Sequence, residues 1–205
     1  MYNGKRAFDL TLTLATAPLW IPVLACVALV VRVVIGAPVM FRQARAGRYG
    51  QEFMLVKFRT MTDERDSSGQ LLPDEARLTR AGAFLRSTSL DELPELWNVL
   101  RGDMSVVGPR PLHLRYLDRY SQEHALRHDV RPGLTGLAQV SGRNQLSWPA
   151  RFDLDVLYVR EQSLALDLRI IARTIRVVLR RSDVSATGEA TAPEFLGYGS
   201  GDAAE

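Results

Sequence analysis

The chain contains a single cysteine, Cys26, and only two lysines, Lys5 and Lys57, among its 205 residues. One cysteine excludes an internal disulfide and a cysteine-rich metal site, and it favours a reducing compartment. Because two of the 26 basic residues are lysines, the other 24 are arginines, and the formal net charge is +3. By itself, this mildly basic composition also fits a nucleic-acid-binding protein. The length predicts one principal domain with a substantial core.

Familiar metal and nucleotide motifs are also missing. The three histidines, His113, His124 and His128, lack the spacing of a metal site with nearby cysteines. We therefore interpret them as ordinary surface or core residues. There is no Walker loop, and no G-x-G-x-x-G motif follows a predicted strand, so the standard nucleotide-binding folds are unsupported.

Charge is absent from residues 10–31, LTLTLATAPLWIPVLACVALVV, which are mostly apolar. About 22 residues rising roughly 1.5 Å each reach ~33 Å, which is enough to cross a bilayer core. A cleaved signal peptide is the alternative, since Lys5 and Arg6 precede the run. However, no small-x-small cleavage site followed by polar chain ends the run, which favours a retained membrane segment.

Two prolines, Pro18 and Pro22, lie in the middle of this run. Each removes a helical hydrogen bond, so we expect the helix to break or bend there. Basic residues flank the run on both sides, and basic flanks prefer the cytoplasm. A re-entrant helix that returns to the same leaflet satisfies both flanks, whereas a straight crossing would place one of them outside.

Residues 86–111, RSTSLDELPELWNVLRGDMSVVGPRP, predict a helix that begins with two carboxylates. Ser89 and Glu92 have the spacing of a capping box. An apolar stripe follows, and Gly102 is expected to end the helix. Asp91 would then lie in the first turn, where free backbone N–H groups and the helix dipole favour negative charge.

Two interpretations of this acidic pair remain open. Acidic residues in a first helical turn commonly do nothing more than cap the helix and offset its dipole. Here, however, Arg86 precedes the helix, Asp103 follows it, and the stiff turn 108–111 carries Arg110. Arginines, carboxylates and a helix N-terminus in this proximity outline a phosphate and metal site.

Residues 38–61 change to a period-two pattern that predicts two strands around a glycine-containing turn. The second strand places Phe53, Leu55 and Lys57 on one face. As a point charge, Lys57 could meet a phosphate or the carboxylate pair. A surface lysine on a half-exposed strand is the alternative.

Residues 130–148, VRPGLTGLAQVSGRNQLSW, form a glycine-rich segment whose donors include Arg131, Gln139, Arg143 and Asn144. A loop that contacts a nucleotide or sugar and a purely structural Ω-type loop are both consistent with this composition.

The last predicted helix spans Leu164 to Arg181 and carries arginines 169, 173, 176 and 180 on one face. Such a basic amphipathic helix often lies in the plane of an anionic membrane surface. A surface helix of a soluble protein would look alike. The small, polar residues 182–205 are expected to be mobile.

These motifs together resemble those of the monotopic polyprenol-phosphate phosphoglycosyl transferases, also called bacterial sugar transferases, and especially their small single-domain members. The resemblance extends from Lys5 to about Ser185. It is carried by FDLTLTL, APVMFRQARAGRYG, FMLVKFRTM, the 86–111 stretch, VRPGLTGLAQVSGRN and FDLDVLYV. The family often has Ser-Pro at the break of its membrane helix, where this chain has Ala17-Pro18.

The resemblance implies roles for the matching residues. Asp91 would be the nucleophile and a metal ligand, and Glu92 its partner in a catalytic dyad. The remaining implied positions are Lys57, Arg86 and Arg110 near the substrate phosphates, and Asp155 and Asp167 as downstream acidic positions.

The implied reaction transfers a sugar 1-phosphate from a UDP-sugar to a polyprenol (undecaprenyl) phosphate, with Mg²⁺ and through an aspartyl-phosphosugar intermediate. It would take place at the cytoplasmic face of the bacterial inner membrane, as the first membrane step of glycoconjugate assembly.

Pattern and resemblance together predict an α+β, mainly helical fold. Residues 1–35 would form the re-entrant membrane helix. Residues 36–185 would form a catalytic domain, with a small β-hairpin and amphipathic interfacial helices around a membrane-surface active site. Residues 186–205 would be a flexible tail. Two other functions compete with this one. The first is a membrane-tethered interaction module. The second is a soluble nucleic-acid binder, but it does not explain the uncharged run at residues 10–31. We therefore expect no nucleic-acid partner. The sequence does not indicate the oligomeric state.

Overall fold

A computed structural model describes residues 2–142, 146–180 and 194–198 of the chain. It begins with two helices, α1 (Lys5–Ala15) and α2 (Ala17–Val34), separated at Thr16. Pro18 lies in the first turn of α2, where the missing N–H of a proline costs nothing. Pro22 lies inside α2, and the helix continues through it. The interruption therefore lies just before Pro18 rather than at both prolines.

Most of the surface of α2 is apolar and exposed. Leu19 is 73% and Val33 75% exposed. Among the described residues, α2 is the one helix long and apolar enough to cross a membrane, judged by length and composition. The C-terminal part of α2 is attached to the remainder of the protein through a buried cluster formed by Val27, Val31, Ile35, Phe58 and Leu85.

The predicted hairpin is confirmed: β1 (Met40–Ala46) pairs antiparallel with β2 (Glu52–Phe58). Directly opposite residues share a face of a hairpin, as do residues two apart along a strand. The face that carries the buried Leu55 therefore consists of the pairs Phe41–Lys57, Gln43–Leu55 and Arg45–Phe53.

Two short helices, α3 (Asp74–Arg77) and α4 (Arg80–Ser87), precede the acidic pair. Ser89 then adopts a left-handed backbone with φ of +56° and makes no side-chain capping bond. A 3-10 turn, Leu90–Glu92, comes next, and α5 (Glu95–Arg101) begins only after it. The predicted capping box is therefore wrong. The predicted stop is confirmed, because Gly102 ends α5 with φ of +94°.

The C-terminal half surrounds a small parallel sheet. Its strands are β3 (Ser105–Val107) and β4 (Gly133–Thr135). The helical elements, in chain order, are the 3-10 helix Leu114–Arg119, α6 (Gln122–Ala125), the 3-10 helix Leu126–Asp129, α7 (Leu137–Ser141), α8 (Trp148–Glu161) and α9 (Leu164–Arg180). The glycine-rich segment 130–148 thus contains a strand and a helix and is not one long loop.

The predicted last helix is confirmed as α9. The side chains of Arg169, Arg173 and Arg176 are exposed, and so are those of Leu168 and Ile175. Both polar and apolar surface is therefore free on the outside of this helix, while Ile170 is buried in the main core.

A buried polar network joins the start of α1 to α9. Lys5 Nζ lies 2.7 Å from an Asp167 oxygen and 3.0 Å from an Asp9 oxygen. Tyr158 donates to the other Asp167 oxygen at 2.8 Å, and Ser105 donates to Asp9 at 2.8 Å. Each buried charge thus has a partner of opposite sign, so the network holds the first turn of α1 against β3, α8 and α9.

Residues 194–198 of the expected flexible tail, residues 186–205, pack against the rest of the protein. Within the described residues 194–198, Phe195 is 3% exposed and packs edge-on against Tyr116 and Phe152. The backbone N–H of Phe195 also donates to the Tyr116 hydroxyl at 3.2 Å. The remainder of this tail lies outside the described residues.

Candidate active site

Glu92 lies between two cations. Its Oε1 accepts hydrogen bonds from Lys57 Nζ at 2.6 Å and from Arg110 Nη2 at 2.7 Å. Lys57 comes from β2, Glu92 from the turn before α5, and Arg110 from the chain after β3. The fold therefore brings together three side chains that are far apart in sequence. Lys57 is mostly buried and paired, so it is not a surface lysine.

Glu95 is a fourth member of this cluster that the sequence analysis missed. Its side chain is buried, and one of its oxygens lies 3.0 Å from Lys57 Nζ. The signal was present in the spacing of Glu92 and Glu95, because residues three apart face the same side of a helical stretch. Lys57 therefore neutralises two buried carboxylates.

The pKa values of the acidic residues in this cluster are shifted in opposite directions. Burial and the neighbouring Glu92 charge raise the pKa of Asp91 to about 6, against the attraction of Lys57 and Arg110. Burial also raises the pKa of Glu95 to about 7. For Glu92 burial acts in the same direction, but the charges of Arg110 and Lys57 outweigh it and hold the pKa well below its ordinary value. Glu92 is therefore the permanent anion of the cluster.

Asp91 is half-buried in the 3-10 turn and forms no hydrogen bond or ion pair with another described residue. The expectation that a helix dipole keeps it ionised is not supported, since α5 begins four residues later. The ionised form is favoured instead by the charges of Lys57, Arg110 and Arg86. Its oxygens remain available to react or to bind a cation.

Arg86 lies in the last turn of α4, and its Nε donates to Thr60 Oγ1 at 3.1 Å. Its charge acts to lower the pKa of Asp91, as the charge of Arg110 does. The cationic residues predicted to surround the acidic pair thus all influence it.

Close backbone packing fixes the loop that carries Arg110. Gly108 N donates to Thr135 O at 2.8 Å, and Gly133 N donates to Pro109 O at 2.9 Å. A Cβ on Gly133 would lie 2.0 Å from Gly108 N, and one on Gly136 would lie 2.3 Å from Gly108 O. These glycines of the 130–148 segment therefore serve to pack against the Arg110 loop.

A buried ion pair supports the same loop. Arg127 lies 2.7 Å from an Asp155 oxygen, and its Nη2 also donates to the Arg110 carbonyl at 2.7 Å. Asp155, one of the two downstream acidic positions, thus acts on Arg110 through Arg127. Asp167, the other downstream acidic position, lies in the network around Lys5, and its contacts among the described residues do not include the acidic pair.

The polar residues of the glycine-rich segment that were predicted to contact a nucleotide or sugar do not form one site. Arg131 donates to the Gly102 carbonyl at 2.8 Å, at the C-terminus of α5. Gln139 donates to the Leu134 carbonyl at 3.1 Å. Arg143 and Asn144 lie outside the described residues. The described members therefore bind backbone and do not face the acidic pair.

The N-terminal helix contacts α5 directly. Arg6 donates from its two Nη atoms to the carbonyls of Val99 at 2.6 Å and Leu100 at 2.9 Å. A cation at the C-terminus of a helix satisfies free carbonyls and complements the dipole. The helix that carries Glu95 is therefore held by the segment that leads into the apolar run.

The donor set fits a magnesium ion only in part. No group of three or more histidine, cysteine, aspartate or glutamate side chains among the described residues could hold a metal. Mg²⁺ often takes one or two protein carboxylates and completes its shell with waters and substrate phosphates. Asp91 suits a magnesium ion that arrives with a diphosphate, because its oxygens form no hydrogen bond or ion pair with other described residues.

Comparison with known proteins gives a consistent assignment. Residues 2–181 match the family model described as bacterial sugar transferase. The chain is 51% identical over 195 residues to the uncharacterized sugar transferase EpsL of Bacillus subtilis (strain 168), and the match covers 95% of this chain and 96% of that protein.

Two relatives have names that state an activity. A UDP-glucose:undecaprenyl-phosphate glucose-1-phosphate transferase of Klebsiella pneumoniae is 42% identical over 181 residues, which cover 83% of this chain and 39% of that protein. A transferase of the same name from Caulobacter vibrioides is 40% identical over 185 residues, with 85% and 69% covered. The chain thus spans nearly all of the Bacillus protein but about two fifths of the Klebsiella one.

Proposed function

The chain belongs to the bacterial sugar transferase family, and on that premise we propose that it transfers a sugar 1-phosphate from a UDP-sugar to undecaprenyl phosphate. It is a phosphoglycosyl transferase: UMP is released and a polyprenyl-diphosphate sugar is formed. The observation that carries the proposal is the Asp91 carboxylate, which pairs with no other described residue and adjoins Glu92. Lys57 and Arg110 both bind Glu92. This product is the first lipid-linked sugar of a glycoconjugate pathway.

The proposed mechanism has two displacements at one phosphorus atom. An Asp91 oxygen forms a bond to the phosphorus that carries the sugar, and the bond from that phosphorus to the UMP oxygen breaks. An oxygen of the lipid phosphate then attacks the same phosphorus, and the bond to Asp91 breaks. Covalent catalysis of this kind divides one transfer between two bulky anions into two easier steps.

The cationic side chains make the approach of two anions feasible. Glu92 fixes Lys57 and Arg110 beside Asp91, so their donors are oriented before substrate arrives. Mg²⁺, bound by Asp91 and the diphosphate, would neutralise further charge on the phosphate oxygens when present. Arg86 adds a further positive charge that acts on Asp91.

The contacts of α1 and α2 support a re-entrant membrane segment. Lys5, at the start of α1, is buried against Asp167, and Ile35, after the end of α2, is buried against Phe58. Both ends of the apolar stretch therefore pack on the same domain, which a straight crossing would prevent. We place that domain on the cytoplasmic face of the inner membrane, at the depth of the acceptor phosphate.

Single-turnover measurement without acceptor tests the mechanism. The purified enzyme is mixed with a UDP-sugar and Mg²⁺, and UMP release and protein mass are followed. We expect one equivalent of UMP and a sugar phosphate retained on the wild-type chain, and neither in Asp91→Asn. Absence of UMP until undecaprenyl phosphate is added would instead favour direct attack by the lipid phosphate. Full turnover by Asp91→Asn would refute both mechanisms.

A further inference from the structure

Arg45 lies on the face of the hairpin that carries Lys57. It is paired with Phe53, while Lys57 is paired with Phe41 on the same face. The two pairs are four residues apart, which corresponds to ~13 Å along the strands. The next residue, Ala46, donates its N–H to the Leu112 carbonyl at 3.0 Å, so the end of β1 is fixed to the chain that follows Arg110.

The Arg45 guanidinium is poorly satisfied. One Nη atom donates to Gln43 Oε1 at 2.6 Å, and the buried Nε has no hydrogen-bond partner in the described chain. No carboxylate among the described residues forms an ion pair with it, in contrast to Arg110 and Arg127. A buried guanidinium donor without an acceptor is costly, so its retention calls for an explanation.

Two other arginines act on Arg45. Burial and the charges of Arg110 and Arg115 lower the pKa of Arg45 to about 10, whereas Glu95 and Tyr116 act in the opposite direction. Burial and the charges of Arg45 and Arg115 also lower the pKa of His113. The carboxylates nearby are already engaged, since Glu95 pairs with Lys57 and Glu194 with Arg115.

Arginines with a structural role in this chain look different. Arg6, Arg127 and Arg131 each direct a guanidinium nitrogen at a backbone carbonyl of another element. Among the described residues, Arg45 donates only to the side chain of Gln43, two residues away on its own strand. Its free donor therefore points to a ligand rather than to a packing role.

We infer that Arg45 binds a phosphate oxygen of the substrates, on the face of the hairpin that also carries Lys57. A phosphate would supply the acceptor that Nε lacks and the negative charge that the cationic region lacks. The inference rests on the proposed function, because both substrates of that reaction carry phosphate: the UDP-sugar as a diphosphate and the lipid acceptor as a monoester.

The test compares Arg45→Met with Arg42→Met. Arg42 is the next arginine on the same strand, but it pairs with Val56 on the opposite face and is exposed. For Arg45→Met we expect KM for one phosphate substrate to rise about 10- to 100-fold, the loss of one charged hydrogen bond. The melting temperature should be unchanged or higher, because an unsatisfied charge is removed from the interior. Arg42→Met should resemble wild type in both measurements.

Separate titrations identify the phosphate. Weaker binding of UDP, with a raised KM for the UDP-sugar alone, assigns Arg45 to the nucleotide diphosphate. Unchanged UDP binding with a raised KM for undecaprenyl phosphate assigns it to the lipid phosphate. Arg45→Lys, which keeps the charge, should recover part of the loss in either case.

Two results would overturn the inference. Arg45→Met could leave both KM values and UDP binding as in wild type, or it could lower the melting temperature and kcat with KM unchanged, as a structural residue would. Failure of the proposed function looks different, because the wild-type chain would then release no UMP from any UDP-sugar tested.

Discussion

Arg127 donates a hydrogen bond of 2.7 Å to the backbone carbonyl of Arg110 while its guanidinium is paired with the buried Asp155. The position of a residue that touches Glu92 thus depends on an ion pair on another part of the chain. Arg127 and Asp155 have about 2% and 3% of their surface exposed, so neither could be left alone without a large penalty.

Asp155→Asn is expected to reduce both stability and activity. Removing one partner of a buried pair commonly costs about 3–5 kcal/mol, and it releases Arg127 from the Arg110 carbonyl. Thermal unfolding in detergent and kcat with a UDP-sugar measure the two effects. Glu161→Gln is the control, since Glu161 is on the same helix but exposed. Equal behaviour of the two variants would contradict this role for Asp155.

Lys57→Gln should be strongly deleterious because Glu92 and Glu95 would be left close together without their shared cation. We expect a loss of stability of about 3 kcal/mol or more and at least ~100-fold lower kcat/KM. The double variant Lys57→Gln, Glu95→Gln removes one of the unpaired charges, so it should recover stability but not activity. A double-mutant cycle on melting temperature and turnover separates the two contributions. Recovery of turnover would show that Lys57 does not act on substrate.

The buried His128 is expected to destabilise the folded protein in mild acid. Its Nδ1 lies 3.1 Å from the Gly47 carbonyl, and burial together with Arg127 lowers its pKa to about 4. The unfolded chain, with an ordinary histidine pKa near 6.5, therefore binds a proton in this range before the folded chain does. His128 by itself should lower stability from about pH 6.5 to about pH 4, by up to ~3 kcal/mol, whereas the raised pKa values of Asp91 and Glu95 act in the opposite direction over the same interval.

The measurement is the unfolding free energy, or melting temperature, as a function of pH. His128→Asn keeps a donor for Gly47 and removes the titration, so its stability relative to wild type should rise by up to ~3 kcal/mol as the pH falls from about 6.5 to about 4. Identical slopes for wild type and His128→Asn would rule out this source of the acid sensitivity.

The membrane topology can be tested with the single native cysteine removed. In a Cys26→Ser background, Asn3→Cys and Ala37→Cys introduce exposed thiols before α1 and after α2. If the segment is re-entrant, an impermeant maleimide should label both positions in inverted inner-membrane vesicles and neither in intact spheroplasts. Labelling of the two positions from opposite sides would establish a straight crossing.

The sequence alone determined the local and compositional features. Residues close together in the chain are enough to predict four features: the uncharged apolar run, the period-two hairpin, the glycine stop at Gly102 and the basic last helix. The structure contains each of them. The motifs that carry the family resemblance are also local strings, so the family could be predicted as well.

Only the tertiary structure decided which charges meet. Whether Ser89 caps a helix depends on its own backbone angle, and whether Glu95 faces Lys57 depends on how β2 lies beside α5. Asp155 and Asp167 look alike in sequence, yet one supports the Arg110 loop and the other anchors α1. Long-range pairing and burial set the environment of an ionisable group, and neither is encoded in the spacing of residues along the chain.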